Sequence, residues 1–174
     1  MEIGFLPMSI AGTVASLHLH PVIAGAPFQA RSEIYVEAGK GIAGNPRYFD
    51  RKNRNGEPSR RQVSLIAREQ IADHARALGG IDIPPGAVRA NIETAGVDIM
   101  LLLGSRVEIG GAVLYFCDAR QPCAKMDLVA PGLRALMAND RQGVMAQVVR
   151  SGRIGVGDSI RDYTAAAGNP VPTP

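Results

Sequence analysis

The sequence has no tryptophan, and aromatic residues make up only 5% of it, so the stacking platforms that hold single-stranded nucleic acid are not in evidence. It has no run of repeated Lys or Arg, and its net charge is only +3, from 19 basic against 16 acidic residues. That mild excess suits a small anion at least as well as a polynucleotide, and no nucleic-acid partner is expected. No uninterrupted apolar stretch approaches the roughly 18 residues of a membrane-spanning helix, and Met1-Glu2 opens without a basic n-region. A cytoplasmic protein without a membrane partner is therefore expected. Two cysteines in 174 residues are too few for a disulfide framework, and a thiol in that compartment is more often free, catalytic or metal-bound. The 46% hydrophobic content is enough for one well-buried domain and short of two.

What the chain does have is Gly110-Gly-Ala-Val-Leu-Tyr-Phe-Cys-Asp-Ala-Arg-Gln-Pro-Cys-Ala-Lys-Met126. Ala112, Leu114 and Phe116 alternate with Val113, Tyr115 and Cys117, which predicts a strand ending near Asp118. Pro122 cannot donate to a sheet and fixes its own φ, so Cys123 is expected off the sheet, at the end of a stiffened segment. Arg120 and Lys125 are the cations nearest to it in sequence, set against Asp118 and Asp127. A nearby cation favours the thiolate, the form that attacks and binds metals. Cys117, on the strand, is read as an inert packed thiol.

The rest of the chain alternates turns with short apolar segments. Gly12 to His20 has period-two alternation and predicts a first strand ended by Pro21. Its His18/His20 pair reads as two polar residues at a strand end, in preference to a metal site, because no third ligand of matching spacing follows. Ser32 to Glu37 predicts a second strand, leading into the glycine-rich Ala38–Pro46, whose Asn45-Pro46 rules out a helix-opening phosphate loop. Residues 47–61 carry Arg47, Arg51, Lys52, Arg54, Arg60 and Arg61 around Tyr48-Phe49, either a solvated basic loop or an anion site. Ser64 is a candidate N-cap for a helix from about Leu65 to Leu78, with the stripe Ala67, Ile71, Ala75, Leu78 and a Gly79-Gly80 stop. Strands are predicted over Val88–Ile92, Val97–Leu103, Arg106–Ile109, Gly143–Val149 and from the Ser151–Asp158 turn through Ile160, with a short helix in Pro131–Ala138.

About eight short strands and one or two helices favour a mainly β fold, a closed or nearly closed β-barrel. The expected organisation is one barrel domain over residues 10–162 and a flexible C-terminal tail over 163–174.

Seven pieces in order carry a resemblance: Gly39-Lys-Gly-Ile-Ala-Gly44, Arg61-Gln-Val-Ser-Leu65, Pro85-Gly86 with Arg89-Ala-Asn-Ile92, Leu103-Gly104, Ile109-Gly-Gly-Ala-Val113, Arg120-Gln-Pro-Cys123 and Gly152-Arg-Ile-Gly-Val-Gly-Asp158. Together they resemble the MOSC domain, the carboxy-terminal module of molybdenum cofactor sulfurases, in its stand-alone bacterial form. The resemblance implies a β-barrel whose cysteine, here Cys123, carries sulfur as a persulfide or ligates molybdenum in a bound pyranopterin cofactor. It also implies either sulfur transfer or reduction of N-hydroxylated compounds, that is, a sulfurtransferase or a molybdenum-dependent oxidoreductase. The alternative is a non-catalytic persulfide carrier or interaction module that delivers sulfur to a partner. A small-molecule substrate or cofactor is implied as ligand, and a cysteine desulfurase or a reductase as partner protein. The cofactor's phosphate requires fixed cations, for which Arg47, Arg61 and Arg89 are the candidates, with Asn91 beside them in the Arg-Ala-Asn segment. Where many members of the family have Gly-Asp at the end of the glycine-rich loop, this chain has Gly44-Asn45.

Overall fold

The computed structural model describes residues 11–163. In chain order it contains β1 (Ala11–Leu19), β2 (Gln29–Arg31), β3 (Glu33–Glu37), β4 (Gly41–Ile42), β5 (Val63–Ala67), α1 (Arg68–Ala77), β6 (Ile92–Ala95), a 3-10 turn (Ile99–Leu102), β7 (Arg106–Ile109), β8 (Ala112–Ala119), α2 (Lys125–Val129), α3 (Leu133–Leu136), β9 (Val144–Arg150), β10 (Gly152–Gly155) and β11 (Ser159–Asp162). The sheet runs β11-β7-β8-β9-β5-β6-β1, and β11 pairs back onto β1, so seven strands close a barrel. Closure leaves none of these seven as an open edge. β2 hangs from β1 outside the ring, and β10, β3 and β4 form a small separate sheet. All barrel pairs are antiparallel except β5 with β6, which are parallel and joined through α1, as a parallel pair requires a crossover connection.

Two cores follow. The barrel interior is filled by side chains such as Leu17, Leu65, Ile92, Val107, Leu114, Phe116 and Val144. A second cluster, Ile66, Ile71, Ile83, Val88, Met126, Leu133 and Met137, packs α1, α2 and α3 against the outside of the wall. β5 lies between the two and is buried at every position: Val63, Leu65 and Ala67 join the interior, and Ile66 joins the outer cluster.

Several expectations are corrected. Ser64 is not a helix cap but a residue of β5, and the helix starts at Arg68 with Ala67 as an N-cap that makes no side-chain bond. The run 63–67, buried on both faces, lacks the alternation that would mark it as a strand. Val88–Asn91 is a turn and a coil, and the strand begins at Ile92, because Arg89 adopts φ 62°. Val97–Leu103 contains no strand; Asp98 accepts from the Met100 N–H at 3.0 Å and caps a 3-10 turn. The stretch 29–37 is two strands, and Lys125–Val129 is a helix with no counterpart in the sequence reading. Of the expected tail, Tyr163 is hydrogen-bonded to the Arg106 carbonyl at 2.9 Å; residues 164–174, like residue 10 at the other end of the expected domain, lie outside the described residues. No helix among the described residues is long and apolar enough to cross a membrane.

Candidate functional site

β8 carries the chain to the site. Its pairing with β9 slips between Phe116 and Asp118, so Cys117 sits at a bulge, and the strand stops at Ala119. Arg120 still bonds the Gly143 carbonyl through its own N–H at 2.9 Å. Gln121 and Pro122 then lead out, and the Cys123 carbonyl accepts the Met126 N–H at 3.0 Å in the turn that opens α2. Cys123 is exposed and Cys117 half-buried, both as free thiols.

Cys123 borders a cavity of about 340 Å³ whose charged lining consists of Arg47, Arg61, Arg89, Arg120 and Lys125. Tyr48, His20, Ser64, Gln142, Met126 and Met145 complete most of its wall, and no carboxylate lines it. Five loop segments, β5, β9 and α2 supply these groups, so the cavity exists only once the barrel has closed. The two ends of the basic loop, Arg47-Tyr48 and Arg61, return to the same place. A second cavity, of about 420 Å³, is lined by Glu69, Asp73 and Asp98, with no cation and no nucleophile. Of the two, only the first brings a thiol together with cations.

Arg120 defines the electrostatics. It is buried, and its guanidinium donates only to backbone carbonyls: Gln142 at 3.3 Å, Val88 at 3.4 Å and Arg89 at 3.3 Å. No carboxylate pairs with it among the described residues. Burial pushes its pKa down to about 10; a Cys123 thiolate and Tyr48 pull it up, and Arg61 and Arg89 push it further down. A buried cation surrounded by cations is a costly arrangement that an anion would relieve.

His20 is the second unusual group. It is 7% exposed, its ring lies 4.5 Å from Phe28 and 5.2 Å from Tyr48, and its Nδ1 is 3.2 Å from Asn45 Oδ1. The Asn91 amide nitrogen also lies 3.5 Å from Nδ1, but the shorter Asn45 contact favours the tautomer with the proton on Nδ1 and the lone pair on Nε2. Burial, together with Arg89, Arg47 and Arg120, outweighs the Asn45 bond and pulls its pKa down to about 4. Asn45 also accepts the His20 backbone N–H at 2.9 Å, so the amide at the end of the glycine-rich loop serves as an acceptor.

Of the residues singled out from sequence, Cys123, Arg47, Arg61 and Arg89 converge on one cavity. Asn91 does not line it. It is 1% exposed and sits behind Ser64, accepting from the Ser64 N–H at 3.1 Å and hydroxyl at 2.9 Å while donating to the His18 carbonyl at 3.1 Å. It positions the wall and does not reach the cavity. His18 is buried and bonded to the Ser16 hydroxyl at 2.9 Å, and among the described residues no group of three or more His, Cys, Asp or Glu is placed to hold a metal. His20, Gln142 and the cavity-lining role of Arg120 were not anticipated. For Arg120 a signal was present, a cation three residues before the thiol, and for His20 its pairing with His18, read as a strand end; for Gln142 there was none.

The MOSC domain matches this chain over residues 27–161. Among solved structures, the chain is similar to the YuaD protein from Bacillus subtilis, with 20% identity, a TM-score of 0.73, and coverage of 89% of this chain and 98% of that one. It is also similar to YiiM from Escherichia coli, with 16% identity, a TM-score of 0.60, and coverage of 89% and 69%. YiiM from Geobacillus stearothermophilus gives 16%, 0.60, 90% and 75%. At these identities the likeness is one of fold. No curated protein matches the sequence.

Proposed function

This chain belongs to the MOSC domain family, and on that premise we propose that the cavity binds the phosphate-bearing pyranopterin molybdenum cofactor. Cys123 is the protein's ligand to the metal, and Arg47, Arg61, Arg89 and Arg120 are the cations that hold the phosphate. The single observation that carries this reading is the convergence of these guanidiniums on one cavity with no carboxylate among its lining residues. The donor set fits. A thiolate is the side chain best matched to a soft metal centre, and planar guanidiniums suit bidentate phosphate contacts.

When bound, the cofactor would supply two-electron redox chemistry. The chain's own groups do the rest: Cys123 presents sulfur at the mouth, the cations neutralise and orient the phosphate, and His20 offers an unprotonated Nε2. We read the activity as reduction of a small molecule, fed by a partner reductase. The persulfide-carrier reading draws on one observation, the exposure of Cys123, which suits hand-off from a desulfurase.

The test is the molybdenum and cyanide-labile sulfur content of protein purified from a cofactor-competent host. The first reading expects molybdenum near one per chain, lost in Cys123→Ser. Arg61→Ala or Arg89→Ala should weaken retention by about 1–3 kcal/mol each, the worth of a charge-assisted bond. Labile sulfur without molybdenum would replace it with the carrier reading.

A further inference from the structure

Arg89 and Lys125 line two cavities at once. Beyond them, away from Cys123, lies a cleft of about 400 Å³ between the 25–28 loop, the 84–87 turn and α2. Its walls include Pro27, Phe28, Pro84, Pro85, Leu128 and Val129, and the two shared cations are its only charged lining residues. Apart from them, no side chain in it can form a strong hydrogen bond.

The cleft is preformed. Its prolines have fixed φ, and the 84–87 turn is pinned from beneath by a fully buried carboxylate: Glu93 Oε1 accepts the Gly86 N–H at 2.8 Å. Arg89 holds a left-handed φ of 62°, a conformation that costs a non-glycine residue energy, and this carries its guanidinium to 4.8 Å from the centroid of the Phe28 ring. Leu128, at the cleft, is 87% exposed, so folding gains nothing from its side chain.

We propose that this cleft is the specificity subsite for the small molecule handled at Cys123, and that it takes the apolar, ring-bearing body of an anion whose charged end lies at Lys125, the boundary cation not assigned to the cofactor's phosphate. The inference rests on the anion-binding reading of the Cys123 cavity and adds to it the class of compound. Charge complementarity at the shared boundary selects an anion, and the volume selects a small molecule. The walls select a flat ring: proline and phenylalanine order little on contact, and Arg89 is already presented against an aromatic face.

The experiment is calorimetric titration of the full chain, produced in a host that does not make the molybdenum cofactor, with inorganic phosphate, methyl phosphate and 1-naphthyl phosphate. The expected result is at least tenfold tighter binding of 1-naphthyl phosphate than of methyl phosphate. Leu128→Ser should lower that ratio several-fold while leaving the affinity for inorganic phosphate unchanged, and Phe28→Ala should bring it below about threefold. Equal binding of naphthyl and methyl phosphate, or a ratio preserved in both variants, overturns the cleft assignment and leaves the anion cavity standing. Failure of all three phosphates to bind overturns the anion cavity and the cleft with it.

Discussion

Arg120 Nη2 donates to the backbone carbonyl of Arg89 at 3.3 Å, so one cavity cation holds the backbone of another in place. Two guanidiniums would ordinarily separate. Here the barrel brings them together, with Arg61 and Arg47 added, and supplies no carboxylate among the lining residues. Such a site is built at the expense of stability, and an anion would relieve its repulsion.

Replacing Arg120 therefore separates binding from folding. Arg120→Met removes three hydrogen bonds but also an unpaired buried charge, and these offset each other. The unfolding free energy should change by less than about 2 kcal/mol, while phosphate affinity falls by roughly tenfold or more. Urea titration and calorimetry on the same preparation check this; a large stability loss with unchanged phosphate binding would make Arg120 purely structural.

The legible and illegible parts of this chain differ by physical cause. β7, β8 and β9 could be read because one face of each meets the interior and the pattern alternates. β5 could not, since burial on both faces erases the period. The segment around Arg89 reads as extended until Arg120, 31 residues later, fixes the Val88 and Arg89 carbonyls. Cys123 and three arginines stood out through proline, charge and the family pattern. His20 and Gln142 did not, because they reach the cavity only through strand pairing, of β1 with β6 and of β9 with β5 and β8.

Stability should fall on the acid side. Burial lowers the pKa of His20 to about 4 and that of His18 below its usual 6.5. The unfolded chain takes up a proton on each below pH 6.5 that the folded chain accepts only at lower pH, near 4 for His20, so the contribution of these two groups is flat above 6.5 and falls as the pH drops below it. Each group contributes a slope of up to ~1.4 kcal/mol per pH unit. Denaturant midpoints from pH 7.5 to 4.5 should show this decline, and His20→Gln should flatten it. A midpoint that rises on acidification contradicts the buried neutral imidazole.

Gly143 is the most sensitive glycine near the site. At φ 77° a Cβ there would overlap the Leu65 carbonyl oxygen, a backbone atom of β5 that cannot step aside. Gly143→Ala should cost on the order of 3 kcal/mol or more, from overlap and left-handed strain together. Gly79→Ala carries the strain alone, since nothing lies within 4 Å at φ 90°, and should cost about 1–2 kcal/mol. Similar losses at both positions, measured by thermal melts, would count against the close approach of β5 and β9.

The two thiols should differ most in reactivity. Cys117 donates its S–H toward the Met145 carbonyl at 3.3 Å and the Arg60 carbonyl at 3.4 Å. Burial first, and then Asp118, push its pKa up to about 11. At pH 7.5 roughly one such thiol in three thousand is ionised, and only the thiolate attacks. Cys123 is exposed beside the cationic cavity. Brief substoichiometric iodoacetamide should therefore label Cys123 first, as read by mass spectrometry, and Cys123→Ser should remove the fast phase while Cys117→Ser leaves it intact. Inorganic phosphate should slow the same phase, because an anion held among Arg61, Arg89 and Arg120 occupies the space this sulfur faces. A fast phase that survives Cys123→Ser, or one indifferent to phosphate at concentrations that saturate the cavity, would uncouple the thiol from the anion site and remove the basis for placing sulfur and cofactor together.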